Sequence, residues 1–318
     1  MSKLRYMDME NDLVFIVGCA RTGSTLLRDV LNRSERICIT PETHFLRRIS
    51  RVGLWKEILR FGDLANDRNA ERFVDYLYSA KKKQEKNFWG WFNKQVDSQE
   101  FMERFLASDR SEQAIFTLMM RIYAEKKRGI VTPKMILGEK TPTHVYYIPT
   151  LFKWYPHLKI IHTFRDPRGI FVSSLKRVKA GKWGLKARFP RLPDGLVHPL
   201  DNPFAVLHTT KTWLDAVRLH TRYQQLYPRQ YHLVRFEDMI ADPQSQVQQV
   251  CKFLGVPFEP RMLDEVIVIG SSYRDQRRGP TGFDTHAINR WQEHIAPLTR
   301  AWFSFMGRKH LKRFGYLP

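Results

Sequence analysis

The eight residues Gly18-Cys-Ala-Arg-Thr-Gly-Ser-Thr25 set two glycines with four residues between them, after the apolar run Leu13–Val17 and ahead of Leu26-Leu-Arg-Asp-Val-Leu31. A strand, a glycine-bounded turn and a helix in that order gather backbone N–H groups and the positive end of a helix around an anion. Ser24 and Thr25 add hydroxyl donors, and Arg21 adds a charge inside the turn. A nucleotide triphosphatase needs a lysine after the second glycine to reach the β- and γ-phosphates, and a Ser or Thr next to hold Mg²⁺. Ser24 stands at the lysine's position. The loop therefore suits a phosphate group without the equipment for a γ-phosphate. On this motif alone, an ordinary glycine-rich turn is the competing reading.

A second set is Thr163-Phe-Arg-Asp-Pro-Arg-Gly-Ile-Phe-Val-Ser-Ser-Leu-Lys-Arg177. An apolar strand ends at Phe164, so Arg165 falls at its carboxyl end, and a helix begins after Pro167 that carries Ser173 and Arg177. A planar guanidinium donates two hydrogen bonds at once to phosphate oxygens. Arg165 and Ser173, eight residues apart, are thus able to grip a second phosphate while Arg177 adds charge. Read by itself, Arg-Asp-Pro-Arg is equally a salt-bridged helix cap.

A 5′-phosphate loop together with an Arg…Ser clamp resembles the sulfotransferases that use 3′-phosphoadenosine-5′-phosphosulfate (PAPS). The resemblance runs from about Val14 to Trp291. It includes Val234-Arg-Phe-Glu-Asp-Met-Ile-Ala-Asp-Pro243 running into Cys251-Lys-Phe-Leu-Gly-Val-Pro257. It implies that Gly18, Arg21, Thr22, Gly23, Ser24 and Thr25 hold the 5′-phosphosulfate, and that Arg165, Ser173 and Arg177 hold the 3′-phosphate, with no metal. In motif pattern the chain is most similar to the tyrosylprotein sulfotransferases. These place a further arginine where Arg177 stands and a glutamate where Glu42 stands, twenty-one residues after the loop arginine.

The same resemblance gives roles to Thr40-Pro-Glu-Thr-His44 and to Ile136-Leu-Gly-Glu-Lys-Thr-Pro-Thr-His144. Glu42 falls just past a strand's carboxyl end, where open α/β sheets bind ligands, and as general base it would take the acceptor's hydroxyl proton. His44 and His144 are further candidates for the base, because the cytosolic small-molecule members use a histidine. Glu139 reads superficially as the acidic end of a Mg²⁺-holding strand, but Lys140 follows it. A fixed ammonium beside the transferred group supplies a metal's electrostatic help. The resemblance makes Lys140 the bridge between leaving phosphate and sulfonate. Arg277-Arg278-Gly279 is similar to the basic pair plus glycine that closes over the 3′-phosphate. Phe236 departs from the pattern, replacing a tyrosine common in the tyrosylprotein enzymes.

Positioning these groups takes a sheet. Short apolar runs at Leu13–Val17, Ile37–Thr40, Met135–Gly138, Lys159–Phe164 and His232–Phe236 are separated by helix-length segments. They predict an α/β fold with a central parallel sheet flanked by helices, P-loop-like in its opening loop. Helices are expected over Thr25–Asn32, about Arg68–Lys82, Ser111–Lys127, Gly169–Lys179, Phe204–Tyr227 and Gln244–Leu254. The last has Asp242 as N-cap, Pro243 as first helical residue and Gly255 as its stop. Gly181–Pro203 has little periodicity and sets Lys182, Lys186, Arg188 and Arg191 among Trp183, Leu185 and Phe189. It is expected to be a mobile loop on the acceptor side. The 318 residues suit a single domain.

The charge balance is 53 Lys+Arg against 32 Asp+Glu, net +21. It favours an anionic partner: nucleic acid, a membrane surface, a polyanionic cofactor or an acidic acceptor. With no RNA-binding aromatic signature and no zinc finger, specific nucleic-acid binding rests on charge alone. Lys81-Lys-Lys and Lys126-Lys-Arg read as solvated helix ends. No run approaches the roughly 20 apolar residues of a membrane span, and the charged start does not read as a signal peptide. Cys19, Cys38 and Cys251 form no CxxC pair, so the expectation is reduced thiols in the cytoplasm. No His/Cys cluster has metal-ligand spacing and no GxSxG elbow is present.

The implied reaction is in-line transfer of the sulfonyl group of PAPS to an acceptor hydroxyl, releasing adenosine 3′,5′-bisphosphate. The acceptor is a peptide tyrosine, a carbohydrate, or a small alcohol or phenol, an acidic one suiting the charge. A P-loop-type nucleotide kinase is the alternative that the missing lysine opposes. A non-catalytic anion- or nucleic-acid-binding protein explains the charge but not the Arg165/Ser173 spacing. Phe88-Trp-Gly-Trp-Phe92 reads either as core packing or as an aromatic wall for the acceptor.

Overall fold

The computed structural model describes residues 11–46, 54–79, 88–179, 183–189, 191, 193–264 and 283–318. Five strands, β1 (Leu13–Gly18), β2 (Ile37–Thr40), β3 (Ile136–Lys140), β4 (Lys159–Phe164) and β5 (Tyr231–Arg235), form one sheet in the order β2-β3-β1-β4-β5. β3 pairs in parallel with β1 (Leu13 opposite Leu137) and with β2 (Ile37 opposite Ile136). β1 to β3 are buried along their whole length, as apolar strands with helices on both faces must be. This is the expected α/β architecture with a central parallel sheet.

The chain gathers into two compact units, residues 1–17 with 31–160 and residues 18–30 with 161–318. In the first, Phe116 stacks on Phe45 at 4.5 Å and tilts against Phe15 at 5.6 Å. The Phe88–Gln95 helix buries Phe88, Trp89 and Phe92, so that aromatic cluster is core packing. Lys126, Lys127 and Arg128 occupy the last turn of the Glu112–Arg128 helix. Arg128 is no solvated cap: it donates to the carbonyls of Asn32, Ser34 and Ile37 and clamps the entry to β2. Lys81–Lys83, and the end of the helix expected to reach Lys82, lie outside the described residues; the described helix is Asp67–Leu77.

In the second unit, Phe164, Trp213, Val217, Leu311 and Phe314 form one buried cluster, and Phe171, Ala205, Trp291 and Phe303 another. Asp242 caps the Pro243–Leu254 helix by accepting from Ser245 N–H at 3.0 Å, and Gly255 closes it in the left-handed conformation. The poorly periodic stretch differs from expectation. A short helix spans Leu185–Arg188, and the helix expected from Phe204 begins at Asp194 and runs to Leu226 through Pro199 and Pro203. Each proline removes a helical N–H, which makes the segment read as a break. Tertiary contacts offset that cost. Asp201 accepts from Leu185 N–H at 2.7 Å, and Trp183 packs on Phe204 and His208. Residues 181, 182, 190 and 192 lie outside the described set. The three cysteines are buried and unbridged, and among the described residues no helix is long and apolar enough to cross a membrane.

Candidate active site

The turn after β1 is built by positive-φ residues. Gly18 (φ 141), Arg21 (φ 71) and Gly23 (φ 82) reverse the backbone so that Ser24 opens the Ser24–Leu31 helix. Gly18 has no room for a side chain, since a Cβ there would lie 2.3 Å from the Thr163 carbonyl oxygen. At Gly23 a Cβ would meet the Phe236 ring at 2.7 Å. The turn is thus pressed onto β4 and onto the start of the Phe236–Ala241 helix. Thr22 is the internal staple: its Oγ1 donates to the Cys19 carbonyl at 2.8 Å and pairs with Thr163 Oγ1 at 2.7 Å. Its hydroxyl is spent on the turn, leaving the backbone to face an anion.

Arg21, Arg165 and Ser173 come together in the same unit. Arg21 Nε donates to Ser173 Oγ at 3.0 Å, and Arg165 Nη1 donates to the Arg21 carbonyl at 3.2 Å. Arg165 Nη2 donates to the Ala287 carbonyl at 2.9 Å, and the guanidinium lies 3.8 Å from the centre of the Phe236 ring. Burial draws the Arg165 pKa down to about 10; Glu237 opposes the shift and Arg21 adds to it. The group stays charged at neutral pH. The neighbouring Asp166 and Arg168 are the salt-bridged cap that Arg-Asp-Pro-Arg suggested, with Arg168 Nη2 2.6 Å from Asp166 Oδ2. The cap reading of that motif holds for Asp166 and Arg168. Arg177 is exposed on the Pro167–Lys179 helix. Arg277, Arg278 and Gly279 lie outside the described residues.

The first unit brings Glu42 and Lys140 together. Lys140 is the last residue of β3 and its side chain is only 3% exposed; Nζ donates to Glu42 Oε1 at 2.5 Å. The other carboxylate oxygen lies 3.2 Å from His44 Nε2. Burial pushes the Glu42 pKa up, but the His44 contact and Lys140 outweigh it and hold the carboxyl well below its ordinary range. A part-exposed carboxylate bonded to a sunken ammonium is able to accept a proton once that ammonium turns to another anion.

Beneath this pair sits a buried network. Glu139 Oε1 accepts from Thr43 N–H and Oγ1, both at 3.0 Å, and from Thr141 Oγ1. Its Oε2 lies 2.9 Å from His144 Nδ1, while His144 Nε2 accepts from Leu46 N–H at 3.2 Å. These contacts give the imidazole one tautomer, with the proton on Nδ1. His144 is fully buried with both nitrogens engaged, which leaves Glu42 and His44 as the two base candidates with side-chain surface. Glu139 likewise has its carboxylate committed to Thr43, Thr141 and His144 rather than turned to a ligand. Trp89 Nε1 completes the support by donating to the Thr43 carbonyl at 2.7 Å. The supporting contacts of Trp89, Thr43, Thr141 and Phe236 are not legible in the sequence. Their partners are far away in the chain, and no local period marks them.

Residues 13–260 match the Sulfotransferase family, and the chain belongs to that family. It is similar to the omega-hydroxy-beta-dihydromenaquinone-9 sulfotransferase Stf3 of Mycobacterium bovis and of Mycobacterium tuberculosis. Identity is 24% over 268 residues, 76% of this chain and 62% of the relative, so the chain spans less than two thirds of those relatives' length. Its fold resembles the sulfotransferase domain from the Synechococcus PCC 7002 olefin synthase (TM-score 0.57, 20% identity, 97% of this chain and 96% of that one). It also resembles the sulfotransferase domain from the curacin biosynthetic pathway (TM-score 0.53, 19% identity, 94% of this chain and 97% of that one).

Proposed function

We propose that the chain transfers a sulfonyl group from PAPS to an acceptor hydroxyl, releasing adenosine 3′,5′-bisphosphate. The observation that carries this reading is the convergence of Arg21 and Arg165 on Ser173 and the glycine-bounded turn. Two guanidinium groups of like charge, held part-buried against one turn, suit a ligand with two separate anionic groups. PAPS would supply a sulfonyl group already activated by a phosphate leaving group.

The chain's own residues then have separate tasks. The backbone of Gly18–Thr25 with Arg21, Ser24 and Thr25 binds the 5′ end. Arg165, Ser173 and Arg177 bind the 3′-phosphate, a task the family pattern extends to Arg277, Arg278 and Gly279. Lys140 stabilises charge on the leaving phosphate and sulfonate. Glu42 takes the hydroxyl proton. The 2.5 Å Lys140–Glu42 bond couples the last two tasks. While Nζ stays on Oε1 the carboxylate is a weak base, and when Lys140 turns to an anionic oxygen, Glu42 regains basicity.

A carboxylate base is what the chain shares with the tyrosylprotein pattern, so a peptide tyrosine remains in the acceptor class beside carbohydrates and small alcohols or phenols. The mycobacterial relatives are named for a hydroxyl on a dihydromenaquinone, which adds a lipid alcohol to that class. A reducing compartment such as the cytoplasm suits the three unbridged thiols. The test is affinity for adenosine 3′,5′-bisphosphate against ATP, with and without Mg²⁺, followed by a labelled-donor screen across these hydroxyls. Preference for the 3′-phosphorylated nucleotide without Mg²⁺ is expected; tighter, Mg²⁺-dependent ATP binding overturns the reading.

A further inference from the structure

The Pro297–Arg313 helix buries Phe303, Gly307 and Leu311 at four-residue spacing. Its opposite side is not polar. Leu298 and Phe305 are 86% and 80% exposed, and Trp302 and Met306 are also exposed. At 3.6 residues per turn, Leu298, Trp302 and Phe305 share one face, and Lys309 is the next residue on it. Arg308, Lys312 and Arg313 flank Lys309, and the whole helix contains no Asp or Glu.

A second helix extends this surface. Trp302 Nε1 donates to Thr210 Oγ1 at 3.0 Å and Arg313 Nη1 donates to Thr221 Oγ1 at 2.9 Å, so the helix runs alongside Asp194–Leu226 in the same direction. There the exposed Leu207 lies one turn before Thr210, and exposed Lys211, Arg218 and Arg222 follow it. Asp215 sits between Lys211 and Arg218 and bonds both. The face therefore passes from an apolar end to a basic end along two adjacent helices.

Large apolar side chains grouped on a soluble surface mark a partner. Charge decides which. A second copy on the same face would set basic turn against basic turn where the two-fold axis runs along the helices. Where the axis crosses them it would set basic turn against Leu298 and Phe305, and the Pro297–Arg313 helix supplies no acidic partner in either case. Nucleic acid would use the arginines and lysines but leave Leu298 and Phe305 in water. An anionic bilayer surface takes both ends at once: apolar side chains enter the boundary between headgroups and acyl chains while the basic turns lie on the phosphates. We propose that this two-helix face binds anionic lipid membranes peripherally. The proposal stands independently of the sulfonyl-transfer reading, and it uses positive charge that the donor site leaves over.

Vesicle flotation of the full chain tests it, with phosphatidylcholine alone or mixed with phosphatidylglycerol. Binding is expected only to the mixed vesicles and is expected to weaken when ionic strength is raised about fivefold. A Leu298→Ser/Phe305→Ser double variant should lose at least about tenfold in partitioning. A Lys309→Glu/Lys312→Glu variant should lose binding too, both at an unchanged thermal midpoint because the substituted side chains are exposed. Failure of the wild type to float, or equal flotation of the serine variant, overturns the proposal. A dimer in sedimentation that the serine variant breaks, with no vesicle binding, overturns it in favour of a second copy.

Discussion

Lys140 Nζ is bonded to Glu42 Oε1 at 2.5 Å, with the lysine sunk at the end of β3 and the carboxylate part-exposed beside it. In the proposed reaction this pair would hold the base and the charge-stabilising ammonium in one contact, each weakened by the other. Glu42→Gln keeps the shape and removes the proton acceptor, so turnover should fall about 10²–10⁴-fold with donor affinity retained. Full activity in that variant would move the base to His44, to be checked by His44→Ala.

Lys140→Met should act differently. It removes the charge that helps hold the Glu42 carboxyl below its ordinary range. A group with a depressed folded pKa is in its charged form above that pKa and loses it as pH falls through it. The acid limb of the kcat/KM profile, which reports the enzyme before the donor draws Lys140 away, should therefore move to higher pH in Lys140→Met, in addition to a lower kcat. A lowered kcat with an unmoved limb would show that Lys140 does not control Glu42.

Arg165→Ala should cost roughly 2–4 kcal/mol in affinity for adenosine 3′,5′-bisphosphate, as expected for truncating one partner of a close charge pair. Ser173→Ala should cost less, because it removes one neutral hydroxyl that Arg21 Nε shares at 3.0 Å. Calorimetry on both variants checks this order. Undiminished binding by Arg165→Ala would reduce its role to holding the turn through the Arg21 carbonyl.

What was legible in the sequence was what is local. The β1 run, the glycine-bounded turn, the N-cap at Asp242 and the stop at Gly255 each depend on neighbours in the chain. The helix from Asp194 was not legible. Its two prolines signal a break, and the compensating contacts of Asp201 and Trp183 involve residues outside the helix or a full turn away. Thr22 shows the limit differently. Its hydroxyl reads as a ligand donor, yet Thr163, 141 residues on, claims it. Likewise His144 reads as a base candidate from its type, and only the fold reveals that Glu139 and Leu46 occupy both nitrogens.

Glu139→Gln probes the network under Glu42. The amide keeps one acceptor oxygen but puts an N–H₂ where the carboxylate took donors from Thr43, Thr141 and His144. Losing a buried charged acceptor should destabilise the chain by about 1–3 kcal/mol. Because those bonds fix residues 43–46, kcat of the remaining folded enzyme should also drop. A stability loss with unchanged kcat would make the network structural only.

His162 and His220 give the chain an acid sensitivity that is separate from its carboxylates. Both are buried, and both face the Tyr231 hydroxyl through Nδ1, His220 at 3.2 Å. Burial draws His162 down to about 3, with His220 adding to the shift, and draws His220 down to about 4, with Arg313 adding to it. In the unfolded chain both titrate near 6.5. Their folded pKa values are depressed, so the unfolded state binds more protons between these limits. The stability is fully present above about 6.5, erodes as pH falls, and the loss is complete only below the folded values. Between about pH 6 and 5, before most carboxylates titrate, unfolding should take up close to two protons from this pair. His162→Phe should remove about one of them and flatten the slope of stability against pH, while Tyr231 keeps its contact with His220. The His162 ring also underlies the glycine-bounded turn, since a Cβ on Gly18 would lie 3.1 Å from its Cδ2. Urea titrations at a series of pH values, run on both proteins, measure the slopes directly. Equal slopes would mean that His162 takes no part in acid unfolding.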